Sequence, residues 1–394
     1  MQSGILVQHG HIPKRSGNVV RCDITAIIGF VPRQRWPQGC EKGDFQEIVL
    51  RQERELWAYQ LRDIFDPPTR RAVGDFFVNG GKMVHLFGVC IDGVEDIISP
   101  LALDTVMGSL LDRLRAEEDL AIVTIPLAAY LPCEMTTKGE IHCQCEALYS
   151  FFLSHCNEMN NRFLIMDAPR GLHDDLLLRW VNQFRRRNQK SSSYGALYYP
   201  WLCDKDEMFP PSASIAGLYV RVENEHPPIG IQWPPANVLV HGVTHLEVEL
   251  EWDESNALAE QHINPLVVQS GRGIVVFGVR TLSSNPIFQY INSRRILNLI
   301  VEQLRRDNEW AVFETHNPHL WSVLDRDIRY RLETFWQAGL LTMGNNGRKY
   351  EVTCNATNNP SHLRDAGMVN VAVQVQPVGS TEQIMIDLNF GAST

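Results

Sequence analysis

The sequence predicts a mixed fold, of the α/β or α+β class. Three observations predict it: strand-like and helix-like segments alternate between residues 46 and 265, two amphipathic helices follow, and the last segments have the period of two that marks half-buried strands. A chain of 394 residues with 44% hydrophobic residues is long enough for two or three domains and can bury a sizeable core.

The alternating region follows two short N-terminal pieces. Residues 1–31 contain two strand-like stretches, and a segment rich in proline, glycine and charge follows them. Each of four predicted helices then leads into an apolar strand, and such a succession favours a sheet covered by helices. The four helices are predicted at 69–78, 103–118, 146–158 and 173–189.

Residues 239–250 alternate strictly between two sets of side chains and therefore predict a long strand. Two helices are predicted after it. The first carries an apolar stripe between Ile296 and Leu304. The second is predicted to begin after Asn317, whose side chain suits the N-cap, and to end at Gly339.

The charge balance excludes one large class of partners. Lys and Arg number 36 and Asp and Glu number 46, which gives a net charge of −10. Because phosphate binding needs clustered cations, nucleic acid is not an expected partner. The N-terminal residues lack the order of a secretory signal, and no apolar run approaches the roughly 18 residues of a membrane-spanning helix. We therefore expect synthesis in the cytoplasm and no direct membrane insertion.

The cysteines and histidines offer only weak candidates for a metal site. Nine cysteines, an odd number spread along the chain, are not a disulfide framework. On a strand, His241 and His245 would lie roughly 13 Å apart, too far to share one ion. The densest group does not have the spacing of a structural zinc site, and buried cysteines on a helix are the favoured interpretation. That group is His142, Cys143, Cys145, His155 and Cys156.

Two further motifs have ordinary explanations. Arg185, Arg186 and Arg187, with Lys190, form a basic helix end that suits the helix dipole; a phosphate or nucleic-acid site is the less favoured alternative. The glycine-rich segment 270–274 precedes a strand, so we interpret it as a tight turn. Since the sequence has no nucleophile elbow, HExxH motif or Walker loop, we predict no catalytic residue, no metal and no cofactor.

Several blocks together carry a resemblance to a known family. VGDFFVNGGKMVHLFGV at 73–89 combines a helix, Phe-Phe, Asn-Gly-Gly and a strand, and ALYYPWL follows at 196–202. The most specific block is GRGIVVFGVRTLSSNPIFQYINSRRILNLIVEQL at 271–304, followed by WAVFETHNPHLW at 310–321 and FWQAGLL at 335–341. In this order the blocks resemble the tail sheath proteins of contractile phage tails and contractile injection systems.

The resemblance implies a structural protein and not an enzyme. Subunits of such a sheath form stacked six-fold rings around an inner tube, and contraction drives the tube through a target membrane. The implied partners are neighbouring copies of this chain, the inner tube protein, and baseplate and cap proteins, all within a phage tail or phage-like particle. The implied organisation is a sheath core domain built from residues 1–32 and 266–394, with an outer α/β domain inserted at 33–265.

The resemblance also suggests where the inner tube would bind. In the family a helix of the C-terminal part faces the tube, and the helix predicted after Asn317 is the best match. Arg326 and Arg329 lie off its apolar row and could contact an acidic tube together, with Arg331 on a neighbouring flank. The alternative is that these arginines only form ion pairs with neighbouring acidic residues of the same helix.

The two C-terminal strands are the second candidate assembly surface. Each has one apolar face, and a proline–glycine breaker separates them, so the last strand could pair with a neighbouring subunit. The proposed inter-subunit residues are Val369, Val371, Val373, Val375, Ile384, Ile386, Leu388 and Phe390.

One departure from the family leaves the role of the chain open. The N-terminal stretch GILVQHGHIPKR, at 4–15, lacks the acidic pair that is common in the family's N-terminal arm. The chain could therefore be a minor sheath paralogue or an adaptor ring at the baseplate or cap end. An α/β enzyme that uses the cysteine–histidine group or the loops after the strands is a less favoured alternative.

Overall fold

The protein combines a large parallel sheet, covered by helices on both faces, with a small antiparallel sheet packed on two long helices. This is the mixed class that the sequence predicts. The computed structural model describes residues 19–36, 40–58, 64–136, 140–227, 229–380 and 382–391. The first predicted strand-like stretch and the 4–15 segment lie outside these residues.

Sixteen strands and eleven helices are assigned within the described residues. The strands are β1 Ile24–Pro32, β2 Phe45–Leu50, β3 Val84–Ile91, β4 Leu120–Thr124, β5 Cys133–Met135, β6 Ile141–Cys143, β7 Phe163–Asp167, β8 Gly195–Tyr199, β9 Leu202–Asp204, β10 Glu207–Phe209, β11 His245–Leu246, β12 Ile263–Gln269, β13 Gly273–Val276, β14 Tyr350–Thr353, β15 Val369–Val375 and β16 Ile384–Phe390. The helices are α1 Glu53–Ala58, α2 Pro67–Val78, α3 Glu95–Ile98, α4 Pro100–Ala116, α5 Cys145–Met159, α6 Asp174–Arg187, α7 Ser212–Glu225, α8 Trp252–Glu260, α9 Ile291–Asp307, α10 Pro318–Gln337 and α11 Ser361–Asp365. In the part of the chain that the structure describes, none of the helices is long and apolar enough to cross a membrane.

Eight strands form the large sheet in the order β13-β12-β8-β7-β4-β1-β3-β2. Neighbours from β12 to β3 are parallel, and β13 and β2 are antiparallel strands at the two edges. Helices α4, α5 and α6 cover one face, and α2 and α7 cover the other. Because the inner strands are buried on both sides, they read as continuous apolar runs in the sequence.

The small sheet has β15 at its centre, between β14 and β16. Along β15 and β16 every second residue is buried, and these buried side chains form one core with apolar residues of α9 and α10. The strict period of two in the sequence therefore reflects a sheet with one face on a core and one face outward.

The four helices predicted in the alternating region are confirmed to within a few residues at each end, and so are the two helices that follow. The second of these begins as predicted, since the Asn317 side chain accepts a hydrogen bond from the Leu320 amide at 3.0 Å. Gly339, with a φ of +78°, follows its last turn.

The long strand predicted at 239–250 is wrong. Only His245–Leu246 forms a strand, beside β9, and Leu239 makes an isolated bridge to Val275. Gly242 has a φ of +79°, which interrupts an extended path. The alternation arose because this irregular segment lies along the surface and turns Val240 and Leu246 into the core.

The predicted division at residues 32/33 and 265/266 does not coincide with the packing of the single chain. Strand β1 lies inside the large sheet, and the 265/266 boundary falls within β12. A strand as uniformly apolar as β1 is typical of the interior of a parallel sheet, and β1 pairs there with β3 on one side and β4 on the other. The hydrophobic core changes instead within α9, because Leu282 and Ile291 belong to the cores on the two faces of the large sheet, whereas the buried residues from Ile296 onward belong to the core of the small sheet.

Candidate assembly surfaces

The cysteine–histidine group does not converge on a shared point. Cys143 forms a disulfide with Cys133, its register partner across β5 and β6, a bridge that the sequence spacing did not predict. His155 is buried, and its Nε2 lies 2.7 Å from a guanidinium nitrogen of Arg162. Burial, with the charge of Arg162, lowers the pKa of His155 to about 3, so its imidazole stays neutral.

A different group of potential metal ligands was missed by the sequence reasoning. Within the described residues, ligand atoms of Glu47, His85 and Glu117 lie within 4.8 Å of one another. The guanidinium of Arg113 joins this group, at 2.7 Å from Glu47 and 2.8 Å from Glu117. A cation is therefore already in place between the carboxylates, and the arrangement is that of an ion-pair network joining β2, β3 and α4.

The three arginines predicted to contact a tube occupy different environments on α10. Arg326 is exposed, at 67% of its side chain, and pairs with Asp327. Arg329 pairs with Asp325 and donates to the Val352 carbonyl of β14 at 2.7 Å. The expectation of a surface position does not hold for Arg331: only 8% exposed, it binds Asp307 at the end of α9.

The outer face of α10 therefore presents two arginines, each already bound to an acidic neighbour on the helix. Such exposed pairs contribute only about 0–1 kcal/mol each, so they can exchange partners at little cost. A contact of Arg326 and Arg329 with a tube stays a prediction.

Strand β16 forms one edge of the small sheet. It pairs with β15 along its whole length, from Ile384 to Phe390, and within the described residues no strand pairs with its other edge. Its buried side chains hold it on the core of α9 and α10, and its outward residues include Met385, which is 58% exposed. In the single chain β16 is therefore a packed edge strand and not a released arm, and its predicted pairing with a neighbouring copy stays a prediction.

An exposed phenylalanine lies in a segment that contacts β16, and it was missed by the sequence reasoning. Phe313 is 90% exposed, at the end of the short 3-10 helix Glu309–Phe313 that contacts β16. Val312, its neighbour, is 39% exposed. Exposed apolar groups in a segment that contacts an edge strand are typical of a surface that another chain covers.

Both surfaces lie in the segment that a family comparison identifies. The model of the phage tail sheath C-terminal domain family matches residues 283–391. Residues 283–391, called the sheath domain below, are thus similar to a tail sheath C-terminal domain. This sheath domain begins a few residues before the hydrophobic core changes within α9, and it contains α9, α10 and the whole β14–β16 sheet.

Curated relatives agree with the family assignment of the sheath domain. The tail sheath protein of Enterobacteria phage T4 is 29% identical over 214 residues, which cover 52% of this chain and 31% of that protein. The tail sheath protein of Vibrio phage KVP40 is 28% identical over 196 residues, covering 48% of this chain and 27% of its own length. The matches thus span about a third or less of these two relatives.

The fold likeness extends beyond the sheath domain to the whole chain. The helical sheath of the anti-feeding prophage in its contracted state superimposes with a TM-score of 0.68 at 19% identity, over 100% of this chain and 97% of that one. At this identity the likeness is one of fold. The resemblance to tail sheath proteins noted from the sequence blocks is confirmed.

Proposed function

We propose that this chain is the structural subunit of a contractile tail sheath, which polymerises as stacked six-fold rings around an inner tube and contracts to drive that tube through a target membrane. The sheath domain at 283–391, with its edge strand β16, carries the proposal. The fold that the whole chain shares with a contracted sheath supports it. Other copies of the chain, an inner tube protein, and baseplate and cap proteins are the expected partners.

Neighbouring subunits join by adding a strand to the outer edge of β16. An edge strand presents backbone N–H and C=O groups that a second chain can pair with. The apolar residues of β15 and β16 are buried in their own core, so they hold the edge in position while it receives a partner. A ladder of backbone hydrogen bonds depends little on side chains, which lets such a joint survive large rotations of the subunits.

Helix α10 contacts the inner tube in this proposal. Arg326 and Arg329 supply the contact, whereas Arg331 holds α10 against α9. Each exposed arginine contributes little, but a ring repeats the contact in every subunit, and the sum decides whether the tube is held. In the assembly, we place the sheath domain toward the tube and most of residues 33–265 outward.

Contraction in this proposal uses no nucleotide and no cofactor. The energy is stored during assembly, in an extended lattice that relaxes to a more stable contracted one when it is released. The proposed role is structural and needs no catalytic group, and the particle itself is the place where the protein functions.

Electron microscopy of the purified protein, with and without a blocked edge, tests the proposal. The wild-type chain is expected to form tubes of six-fold symmetry. The double variant Met385→Lys with Asn389→Lys places two charges on the outward side of β16 and is expected to stay monomeric, since charged edges resist pairing. The control Met135→Lys with His142→Lys adds the same charge on β5 and β6 and should assemble normally. Absence of any ordered polymer from the wild type, or equal assembly of both variants, contradicts the proposal.

A further inference from the structure

A basic pocket lies where the α/β part meets the sheath domain. It has a volume of about 800 Å³ and is open to solvent. The C-terminal end of α6, the turn at 192–194, the segment 283–288 and the first turn of α9 surround it. A ligand in this pocket would therefore contact both parts of the chain at once.

The charges around the pocket are of one sign. Arg185, Arg186, Lys190 and Arg294 line it, and its lining in the described structure includes no aspartate or glutamate. Serine, asparagine and glutamine side chains supply the remaining polar groups, which can donate hydrogen bonds to an anion. In a chain of net charge −10, such a concentration of cations is not a consequence of composition.

Arg294 is the most informative of these residues because it is buried. Only 7% of it is exposed, and its Nε donates to the Asn298 side chain at 3.0 Å. Its guanidinium lies over two rings, 4.2 Å from the centre of Tyr194 and 5.3 Å from that of Phe288. Burial lowers the pKa of Arg294, and no carboxylate within the described residues forms an ion pair with it. Burying a charged guanidinium without an acidic partner lowers the stability of the fold, unless a bound anion compensates its charge.

The helix dipole explains only part of this arrangement. The C-terminus of a helix carries about half a negative charge, which a single cation can balance. Arg187, in the last turn of α6, already lies there and pairs with Glu146 outside the pocket. Arg185 and Arg186 remain, and the side chain of Arg185 is anchored at the pocket wall by a 2.7 Å hydrogen bond to Asn182.

We propose that this pocket binds an oxyanion, a phosphate or carboxylate group held by the guanidinium groups of Arg186, Arg185 and Arg294. Two sources can supply this chemistry: a free phosphate-bearing ligand, or acidic side chains of a neighbouring copy. The chain itself offers such side chains, since Glu249, Glu251, Asp253 and Glu254 are all exposed. A bound oxyanion fastens α6 to α9 and so stabilises the junction with the sheath domain.

Calorimetric titration of the monomeric protein with inorganic phosphate at low ionic strength tests the site without depending on sheath assembly. Saturable binding is expected. The variants Arg186→Gln and Arg294→Gln should each weaken it about tenfold, the effect of one lost charge-assisted hydrogen bond. Arg179→Gln, an exposed position on α6 outside the pocket, should leave binding unchanged. Absence of saturable binding, or equal weakening by Arg179→Gln, overturns the site.

A second measurement identifies the source of the oxyanion. If the pocket receives a neighbouring copy, inorganic phosphate inhibits polymerisation, and Glu249→Lys with Asp253→Lys blocks polymerisation while the phosphate affinity of the monomer is unchanged. If the ligand is free, both treatments leave polymerisation intact and phosphate raises the unfolding temperature of the monomer. A phosphate effect on polymerisation that persists in Arg186→Gln contradicts the assignment to this pocket.

Discussion

Arg295 of α9 and Glu223 of α7 form a buried ion pair across the junction between the sheath domain and the α/β part. Their side chains are 5% and 9% exposed. The same guanidinium donates to the Cys22 carbonyl at 2.9 Å and stacks 4.6 Å from the ring of Tyr219. One arginine thus joins the sheath domain, α7 and the segment before β1. The junction is therefore held by specific contacts between the two parts of the chain.

Removing Arg295 should destabilise the chain strongly. In Arg295→Met the carboxylate of Glu223 loses its cation while it stays buried, which typically costs about 3–5 kcal/mol. Burial already raises the pKa of Glu223 to about 7, so protonation at lower pH should recover part of this loss. Urea unfolding at pH 5 and pH 8 measures both effects. The control Arg326→Met removes an exposed cation and should change stability by no more than about 0.5 kcal/mol. Equal stabilities of the two variants would show that the pair contributes nothing.

A buried carboxyl at the end of β7 should make stability depend on pH. Asp167 is 1% exposed and accepts a 2.6 Å hydrogen bond from the Ser212 amide at the start of α7. Burial raises its pKa to about 7, above the value of about 3.9 in an unfolded chain. Between these two values the folded state binds more protons than the unfolded state, so this residue's contribution to stability falls as the pH rises.

The variant Asp167→Asn removes that titration and keeps an oxygen acceptor for Ser212. Relative to wild type, its free energy of unfolding should rise by on the order of 1–3 kcal/mol between pH 5 and pH 8. Urea unfolding across this range measures the difference, with the exposed Asp253→Asn as a control that should follow wild type. A constant difference between Asp167→Asn and wild type would mean that Asp167 does not titrate there.

Local features of the chain were predictable because neighbouring residues decide them. The side chain of Asn317 caps the helix that follows it by accepting a hydrogen bond from an amide three residues away, and the valines of β15 alternate within one strand. The parallel sheet was also recognisable as a class, since its strands are short apolar runs between helices. The 239–250 segment shows the limit of such patterns. Alternation indicated which of its residues are buried, but a segment forms a strand only where another strand pairs with it. Most of this segment has no pairing strand.

The candidate sites depended on contacts between distant segments, and there the sequence was a weak guide. Arg331 looks like its exposed neighbour Arg329 until α9 brings Asp307 against it. The basic run at the end of α6 looks solvated until the start of α9 adds Arg294 to the same pocket. Phe313 is hydrophobic in a block of hydrophobic residues, and no periodic pattern indicated that it would face outward.

Phe313 is expected to serve assembly and not folding. Because 90% of it is exposed, Phe313→Ser removes little buried surface and should change the free energy of unfolding by less than about 0.5 kcal/mol. In a polymer where a neighbouring copy covers it, the same change removes an apolar contact in every subunit. Light scattering should therefore show a higher critical concentration for polymerisation. Leu101→Ser, at a position 81% exposed on α4, is the control and should polymerise like wild type. The same critical concentration in both variants would remove Phe313 from the interface.

The two exposed arginines of α10 should be needed for the extended sheath. In Arg326→Glu with Arg329→Glu, the single chain loses two ion pairs with partly exposed partners and the bond to Val352, and it should stay folded. Every ring would then repel an acidic tube. The expected result in electron micrographs is loss of extended sheath around tubes, while contracted-like polysheath without a tube still forms.

Two controls separate tube contact from general effects of charge and folding. Arg348→Glu with Arg364→Glu reverses two exposed charges of the sheath domain outside α10 and should leave extended particles intact. Arg331→Glu places a carboxylate in the buried site beside Asp307, where two like charges meet, and should unfold the sheath domain or cost several kcal/mol, on the order of 3–5. The α10 double variant is expected to fold like the first control, unlike Arg331→Glu. It is also expected to form no extended sheath, unlike the first control. Normal extended particles from that variant would mean that α10 does not hold the tube through these arginines.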